Sequence, residues 1–249
     1  MIEDIFEKQE PASFPPLFTG EAVSGTTDPF DKACTQALIG CDAGLLVHNV
    51  TPDQLRAAIV FAPETALEPS MSAFAACGVG FQNALGALAP PEVAVHLGWQ
   101  GQIYINGGLA GRLRMAASDP DPAGVPDWLV IGLEIDLLPP KDVEAGDTPN
   151  QTSLIMEGCG DVSPIKILES WSRYTLVWIN EVETDGIRPL HELWRGLLKD
   201  IGNDISLTLD QETLSGTFLG VDETFGMLLR SASDTRLLSL TKCLETGEA

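Results

Sequence analysis

The sequence predicts an α/β (α+β) fold that ends in a small all-β unit. Between residues 28 and 199, some segments carry apolar residues at helical spacing and others read as short strands, so helices and strands alternate. From residue 203 onward, short alternating strands follow one another, joined by turn residues. A chain of 249 residues can bury a substantial core. We therefore expect a larger domain over residues 1–200 and a small all-β domain over residues 201–249.

The N-terminal region predicts an arm followed by a well-defined helix. Residues 1–20 are rich in proline and phenylalanine and are expected to lie across the body as an extended arm. Asp28 followed by Pro29 is a strong helix start, because aspartate is a favoured N-cap and proline is favoured at the first helical position. This helix is expected to end at Gly40.

A strand and a second, shorter helix are predicted next. Residues 44–50 read as a strand. Residues 51–54, Thr-Pro-Asp-Gln, have the form of a capping box and predict a short helix to about residue 58. A short apolar strand over residues 59–62 should follow.

Residues 70–88 predict a helix that belongs to the core. Alanine and glycine between its large apolar residues permit close packing against a sheet. The apolar residues at helical spacing are Met71, Phe74, Cys77, Phe81, Leu85 and Leu88.

A glycine-rich hairpin occupies residues 93–115. An apolar strand over residues 93–97 leads into a polar elbow at 98–102, and an alternating strand follows at 103–106. Asn106-Gly107-Gly108 is hairpin chemistry, because these residues tolerate the positive φ that tight turns need. The return strand covers residues 109–115.

The remaining elements complete the alternation. Residues 119–126 predict a surface loop, and residues 128–138 a strand with Glu134 and Asp136 on one face. Residues 139–151 are expected to be a mobile connection. Helices are predicted over residues 163–184, where Trp171, Tyr174 and Trp178 should pack against the sheet, and over 189–199. Strands are predicted at residues 204–209, 213–221, 226–230 and 237–244.

Composition narrows the function classes. The formal net charge is −22, with 36 acidic against 14 basic residues, so the clustered cations that hold nucleic-acid phosphates are missing. The sequence lacks an apolar run of the roughly 18 residues that a membrane span needs. Residues 1–10 lack a signal-peptide pattern, which favours a cytoplasmic location. We expect neither nucleic-acid binding nor membrane insertion.

Cysteine and histidine usage argues against a metal or disulfide framework. The five cysteines are widely spaced with no Cys-x-x-Cys pair, and each is expected to be a buried, inert thiol. The three histidines share no metal-ligand spacing. No metal site is predicted.

The hairpin segment carries a family resemblance. Residues 97–107 read Leu-Gly-Trp-Gln-Gly-Gln-Ile-Tyr-Ile-Asn-Gly, and Leu109-Ala110-Gly111 follow. This resembles the signature of the biotin protein ligase and lipoate–protein ligase family, Lys-Trp-Pro-Asn-Asp-hydrophobic-Tyr-x-Asn-Gly-Lys-Lys-x-Ala-Gly. The order of elements supports the resemblance over residues 14–245.

Three further segments are similar to that family. Residues 24–28, Ser-Gly-Thr-Thr-Asp, lie where the ligases carry a Ser-Thr-Asn turn before the first helix. Residues 130–136 are similar to their Val-x-Gly-x-Gly-Ile-Asn strand, and residues 214–229 resemble their SH3-like C-terminal domain. The resemblance implies a mixed sheet flanked by helices, followed by a small SH3-like β-barrel.

The chemistry that the resemblance implies is adenylation. Ligases of this family join a vitamin carboxylate to AMP from ATP and pass the acyl group to a lysine of a carrier protein. Biotin, lipoate and ATP are therefore implied as ligands, and an acyl-carrier (biotinyl or lipoyl) domain as partner. The negative charge of ATP must be met by lysine, arginine and a metal.

This sequence departs from the family at the charged positions. The motif lysine and acid are replaced by Gly98 and Gln102, and the catalytic lysine near the hairpin turn by the Gly107-Gly108 region. Residues 33–140 contain no lysine, and their cations are Arg56, Arg112 and Arg114. The family's Gly-Arg loop has no room between residues 50 and 51. Losing one such charge costs a few kcal/mol, or several orders of magnitude in rate.

Three hypotheses remain open. The first is a pseudoenzyme that keeps the ligase pocket and binds a small acyl-like or biotin-like ligand, with Arg112 holding its carboxylate. The second is a divergent biotin, lipoyl or octanoyl ligase or acyltransferase, with His48 or His96 as general base and Cys77 as a candidate nucleophile. The third is an interaction module whose acidic face meets a basic protein. The predicted ligand-binding residues are Thr26, Thr27, His48, Trp99, Gln102, Tyr104, Asn106, Gly111, Arg112 and Asp136.

Overall fold

A seven-stranded mixed sheet forms the centre of the fold in the computed structural model, which describes residues 11–139, 148, 150–232 and 234–245. Its strand order is β1-β2-β3-β7-β6-β5-β4. β1 and β2 are parallel, and the other neighbours are antiparallel. The strands are β1 (Thr19–Ala22), β2 (Leu45–Val50), β3 (Gln54–Phe61), β4 (Val95–Leu97), β5 (Gln102–Ile105), β6 (Gly108–Ala117) and β7 (Leu129–Asp136).

Helices cover both faces of this sheet, so the predicted α+β class is confirmed. The helices are α1 (Pro29–Leu38), α2 (Leu67–Ser70), α3 (Ser72–Leu88), α4 (Pro164–Asp185) and α5 (Arg188–Leu197). α1 lies on one face, which we call the α1 face. α3, α4 and α5 lie on the other, which we call the core face.

The predicted start of α1 is confirmed. The Asp28 carboxylate accepts a hydrogen bond from the Phe30 backbone N–H at 2.8 Å, and Pro29 begins the helix. Phe30, Ala33 and Ala37 are buried against the sheet in a small apolar cluster. The charged N-terminal turn of α1 is thereby held over the α1 face.

The core face holds the main hydrophobic core, including the predicted helix at residues 70–88. Of its six predicted core residues, Leu88 is the exception, with 38% of its surface exposed. The tryptophans of α4 hydrogen-bond α3: Trp171 Nε1 donates to the Cys77 carbonyl and Trp178 Nε1 to the Asn83 side chain. α4 therefore lies mainly against α3, and it also contacts β3 of the sheet.

The predicted short helix at residues 51–58 is wrong. Thr51 to Gln54 form a tight turn that two hydrogen bonds close. The Thr51 backbone N–H donates to the Gln54 carbonyl at 2.9 Å, and the Thr51 side-chain Oγ1 accepts from the Gln54 N–H at 3.1 Å. β3 then begins at once and pairs with both β2 and β7. A strand position between two partners satisfies every backbone group from Leu55 onward, which outweighs the local capping signal.

A four-stranded antiparallel sheet follows α5. Its strands β8 (Asp204–Leu209), β9 (Glu212–Val221), β10 (Met227–Arg230) and β11 (Thr235–Leu238) are ordered β11-β10-β9-β8. The predicted last strand is wrong in its second half, where Leu240–Cys243 form a 3-10 helix. β8 and β11 lie at opposite edges within the described residues, so the sheet is consistent with an SH3-like unit but closure into a barrel is not confirmed.

The terminal and connecting segments have mixed outcomes. Residues 11–18 precede the sheet and are tied to α4 where the Ser13 N–H donates to the Glu169 carboxylate at 2.9 Å, whereas residues 19 and 20 of the predicted arm belong to β1. Residues 1–10 and most of the connection predicted at 139–151 lie outside the described residues. The Leu67–Leu88 stretch is long and apolar enough to cross a membrane by length and composition, and 61% of its apolar window is buried within the fold, as in the core helix of a soluble protein.

Candidate functional site

A line of five polar side chains crosses the α1 face of the main sheet. Strand register pairs Asn49 with Arg56, Arg56 with Glu134, Glu134 with Arg112, and Arg112 with Gln102. We call these five residues the polar row. With strands about 4.8 Å apart, the row spans about 19 Å from β2 to β5. Directly opposite side chains in a sheet interact, so their chemistry is shared.

The loop before α1 closes over the β2 end of the row. Asn49 is buried, and its side-chain amide donates to the Gly25 and Thr27 carbonyls, each at 3.1 Å. Thr26 and Thr27 are exposed beside it. The predicted ligand loop is thus fixed to the sheet by the first residue of the row.

Glu134 neutralises two arginines. Its Oε2 accepts from Arg112 Nε at 2.6 Å, and its Oε1 accepts from Arg114 Nη1 at 3.0 Å. The hydrogen bond from Arg112 to Glu134 raises the pKa of that guanidinium. In the strand pattern quoted above, Glu134 stands where the ligases carry their second glycine. A charged pair therefore covers the sheet where the family pattern leaves it bare.

Arg114 is the hub of a larger charge cluster. Its guanidinium lies 4.1 Å from the Phe30 ring centroid and contacts carboxylates from three parts of the chain. Burial lowers the pKa of Arg114, but the hydrogen bonds that it donates to Glu245 and the nearby carboxylates outweigh this effect and raise that pKa overall. Its carboxylate neighbours within 4 Å are Asp28, Asp31, Glu134 and Glu245.

Arg56 differs from these two arginines. Among the described residues its guanidinium has no hydrogen bond or ion pair, and its Nε atom is buried without a partner. Arg56 lies on β3, where its register partners are Asn49 on β2 and Glu134 on β7. A buried cationic donor without a partner is costly unless something binds it. Among the described residues, Arg56 is therefore the cation of the row that has no charge partner in the chain, whereas Arg112 is paired with Glu134 through Nε.

A second acidic residue of β7, Asp136, lies next to the polar row. Asp136 accepts from the Gln54 amide at 3.0 Å, so both residues lie on the α1 face one step beyond the row. Burial raises the pKa of Asp136, whereas the Gln54 hydrogen bond lowers it in part. This residue lies near the predicted site, but it adds negative rather than positive charge.

Three predicted residues line a different place. Trp99, Gln102 and Tyr104 border a cleft of about 290 Å³ between β5 and the C-terminal sheet. Trp99 Nε1 donates to the Phe225 carbonyl at 2.8 Å and is buried, so it joins the two sheets. The Lys199 ammonium lies 4.3 Å from the Tyr104 ring centroid. Only Gln102 belongs to both the cleft and the polar row.

Two predicted residues lie outside the site. His48 lies on the core face, paired with Ala57, and its ring centroid is 5.6 Å from that of Phe14. Burial lowers its pKa. Asn106 is a turn residue with φ of 49°, and its side chain holds the Ala94 N–H and Glu157. Alternation along β2 places His48 and Asn49 on opposite faces of the sheet, so His48 is not part of the polar row.

The glycines of the hairpin are fixed by packing. Counting back from Leu109-Ala110-Gly111, Gly108 stands at the family's catalytic lysine. A Cβ at Gly108 would lie 2.8 Å from Thr152, because Leu109 pairs with the 150–152 segment on both sides. A Cβ at Gly111 would clash with the Glu134 carbonyl. Within the Gly107-Gly108 region, a side chain would therefore be crowded at Gly108, whereas a Cβ at Gly107 would meet nothing within 4 Å.

The cysteines and acids form no metal centre within the part of the chain that the structure describes. Cys77 is fully buried, and burial raises its pKa, so its thiol is not available as a nucleophile. His96, the other candidate base, is an exposed residue of the edge strand β4.

Sequence reasoning missed the residues that join distant segments. Asn49 and Glu245 gave no local signal, Glu134 was predicted only to share a strand face with Asp136, and Arg56 was noted only as a cation. The period-2 alternation of β2, β3 and β7 could have placed the first two strand residues on one face. Register across five strands, and the return of Glu245, could not be read from it.

Comparison with known proteins was made at the level of family and of fold. The family model described as the biotin/lipoate A/B protein ligase family matches residues 14–196, and a model described as a domain of unknown function matches residues 209–246. A biotin–[acetyl-CoA-carboxylase] ligase from Paracoccus denitrificans is 25% identical over 187 residues, covering 72% of this chain and 77% of that protein.

Solved structures agree in fold. A biotin protein ligase-like protein of unknown function from Silicibacter sp. is 52% identical with a TM-score of 0.87, covering 95% of this chain and 100% of that one. The biotin protein ligase of Aquifex aeolicus has a TM-score of 0.72 at 13% identity, covering 89% and 95%. The second likeness bears on fold alone.

Proposed function

Because the chain belongs to the biotin/lipoate A/B protein ligase family, we propose that it binds a small carboxylate-bearing ligand on the α1 face without adenylating it. The carrying observation is the charge of that face. Arg112 and Arg114 are neutralised by carboxylates of the same chain, and Arg56 is the cation left without a partner among the described residues. One free guanidinium suits one carboxylate.

The same charges oppose ATP. Among the described residues, the carboxylates of Asp28, Asp31, Glu134, Asp136 and Glu245 lie on or beside the polar row, together with Arg56, Arg112 and Arg114. A triphosphate would enter a region that is already negative, and the net charge of −22 adds to that repulsion. Electrostatic stabilisation of a phosphoryl transition state is therefore weak here.

Two features of the backbone support the loss of adenylation. The tight turn at Thr51 to Gln54 joins β2 directly to β3, where the family carries its Gly-Arg loop. Gly108 cannot carry a side chain beside Thr152 without a shift of the chain. The turn takes the place of the family's Gly-Arg loop, and Gly108 lies in the region where the family has its catalytic lysine. In the family, both parts act on the nucleotide.

The Paracoccus relative suggests the type of acid. Its name specifies a ligase for biotin, which is a carboxylic acid, so biotin, lipoate and octanoate are the first ligands to test. An acyl-carrier domain would be a partner only if transfer persists. His48 and His96 give the transferase hypothesis little support, since the first lies on the core face and the second on an exposed edge strand.

The test is calorimetric titration of the protein with biotin, lipoate, octanoate, ATP and a biotinyl-adenylate analogue, paired with thermal unfolding. A ligand that binds only the folded state adds about 2.7 kcal/mol of stability at a hundredfold excess over Kd. We expect binding of an acid in the absence of ATP. Binding that requires ATP, or that occurs only with the adenylate, would restore the ligase interpretation.

Arg56→Gln tests the assigned residue. It should weaken binding of the acid about tenfold or more, because a charge-assisted bidentate contact is lost. Arg195→Gln is the matched control, since Arg195 is exposed on α5, away from the polar row. Equal affinity in Arg56→Gln and Arg195→Gln would remove Arg56 from the site.

A further inference from the structure

The chain returns to the site at its C-terminal end. After β11, Ser239 caps the 3-10 helix Leu240–Cys243, whose residues Leu240 and Thr241 are buried. Leu244 and Glu245 follow and cross to the α1 face. We call these two residues the C-terminal strap.

The backbone of the strap occupies a free strand edge. β5 pairs with β6 only as far as Arg112, so the later part of β6 has an open edge on that side. The Glu245 N–H donates to the Met115 carbonyl there at 2.8 Å. Among the described residues, one backbone hydrogen bond holds Glu245 on the sheet, whereas Leu244 and the 3-10 helix before it pack against the core.

The Glu245 side chain binds the Nε–Nη2 edge of the Arg114 guanidinium. Glu245 Oε1 accepts from Arg114 Nε at 2.9 Å, and Oε2 accepts from Nη2 at 2.7 Å. This is the two-pronged geometry by which a guanidinium binds a carboxylate ligand. The Arg114 side chain is 11% exposed and that of Glu245 39% exposed, so the strap covers the arginine from the solvent side.

We propose that the C-terminal strap is an autoinhibitory contact: Glu245 occupies the carboxylate-binding edge of Arg114 in cis, and strap release opens that edge to an anionic ligand. The contacts of Arg114 with Asp28 and Glu134 lie on Nη1, outside that edge. Asp31 Oδ1 lies 3.6 Å from Nη2, so release of the strap vacates Nε and leaves Asp31 beside Nη2. The strap also adds a negative charge beside the polar row. Its release therefore favours anion binding both by vacating donors and by reducing repulsion.

The proposal rests on the carboxylate-binding function proposed above for its effect on affinity, but not for the opening of Arg114. Two measurements separate them. The first is modification by phenylglyoxal, a reagent for accessible arginine side chains, with the modified residue located by tandem mass spectrometry. The second is the affinity for octanoate by calorimetry.

Glu245→Gln removes the charge of the side chain and keeps its shape. Glu245→Ala also removes any hydrogen bond that the glutamine oxygen would accept from Arg114. Glu212→Gln is the matched control, because Glu212 makes a 4.0 Å exposed ion pair with Arg236 in the same sheet. Unfolding temperatures of all variants show whether each is folded.

We expect both Glu245 variants to raise the modification rate of Arg114 about tenfold, with the exposed Arg195 of α5 unchanged as an internal reference. We also expect octanoate to bind about tenfold more tightly, equivalent to about 1.4 kcal/mol. An unchanged rate at Arg114 overturns the strap. Unchanged or weaker octanoate binding, in a protein that binds octanoate, also overturns it, since a merely structural contact would not oppose the ligand.

A third outcome separates the two proposals. If Arg114 becomes more reactive but no variant binds biotin, lipoate or octanoate, the carboxylate-binding function is overturned and the strap is confirmed as a cover of Arg114.

Discussion

Single residues decide what the α1 face can bind. Arg56 and Arg112 are both register partners of Glu134, yet only Arg112 forms an ion pair with it. Because Glu134 is already shared with Arg114, it leaves Arg56 without compensation. The shared Glu134 carboxylate thus pairs with Arg112 and Arg114, and Arg56 has no charge partner among the described residues.

His48 gives a pH-dependent prediction at this scale. Burial lowers its folded-state pKa below 6.5, so the unfolded chain binds a proton more readily as the pH falls. The stabilising effect of neutral His48 is present above about pH 6.5 and is lost as the pH falls through the folded pKa. Stability measured by urea unfolding should therefore fall from pH 7.5 to 5.5, and His48→Gln should show a smaller fall. An equal fall would assign the pH dependence to other groups.

Gly108 gives a second prediction. Gly108→Ala should destabilise the protein by about 1–3 kcal/mol, because its Cβ would overlap Thr152. Gly108→Lys should lose at least as much and should gain no ATP-dependent biotinylation. Urea unfolding and a biotinylation assay measure these.

Gly196→Ala is the control for that substitution. A Cβ at Gly196 meets nothing within 4 Å, and the position is helical, so alanine should be neutral or stabilising by up to about 1 kcal/mol. A stable Gly108→Lys protein with ligase activity would show that the Thr152 contact does not close the position.

At the scale of elements, the N-terminal turn of α1 has two roles. Asp28 caps the helix through Oδ1 and holds Arg114 through Oδ2 at 2.8 Å. The capping bond fixes where the helix begins, and the ion pair ties that turn to β6. The ligand loop before α1 is thereby positioned by both the helix and the sheet.

Substitutions at Asp28 separate these roles. Asparagine is as good a cap as aspartate but carries no charge, so Asp28→Asn should cost less than about 1 kcal/mol. Asp28→Ala loses both contacts and should cost about 1–2 kcal/mol. Chemical denaturation measures the difference. Equal losses in the two variants would mean that the ion pair, rather than the cap, dominates.

At the scale of the whole molecule, net charge sets the response to salt. A charge of −22 on 249 residues destabilises the compact state by self-repulsion, and salt screens it over about 10 Å at 0.1 M. The unfolding temperature should therefore rise when the salt concentration is increased from about 0.02 M to about 0.5 M. Sodium and potassium chloride should give the same rise if screening is the cause. A fall would show that the ion pairs around Arg114 outweigh the repulsion.

Local chemistry was enough to predict many elements. The Asp28-Pro29 start of α1 is confirmed, and the hairpin turn has the expected positive φ at Asn106 (49°) and Gly107 (91°). β8 has its predicted limits at Asp204 and Leu209. These features depend on caps, turn residues and periodicity within a few residues, and the family motifs lie in the same short segments.

The sequence by itself therefore determined the fold class, the family resemblance and the absence of lysine from residues 33–140. Tertiary structure alone decided that residues 51–54 form a turn, that His48 faces the core, and that Asn49, Arg56, Glu134, Arg112 and Gln102 form one row. It also decided that Glu245 reaches Arg114, 131 residues away in sequence. The physical reason is that strand register and face are set by pairing between distant segments, and a one-residue shift would move every side chain to the other face.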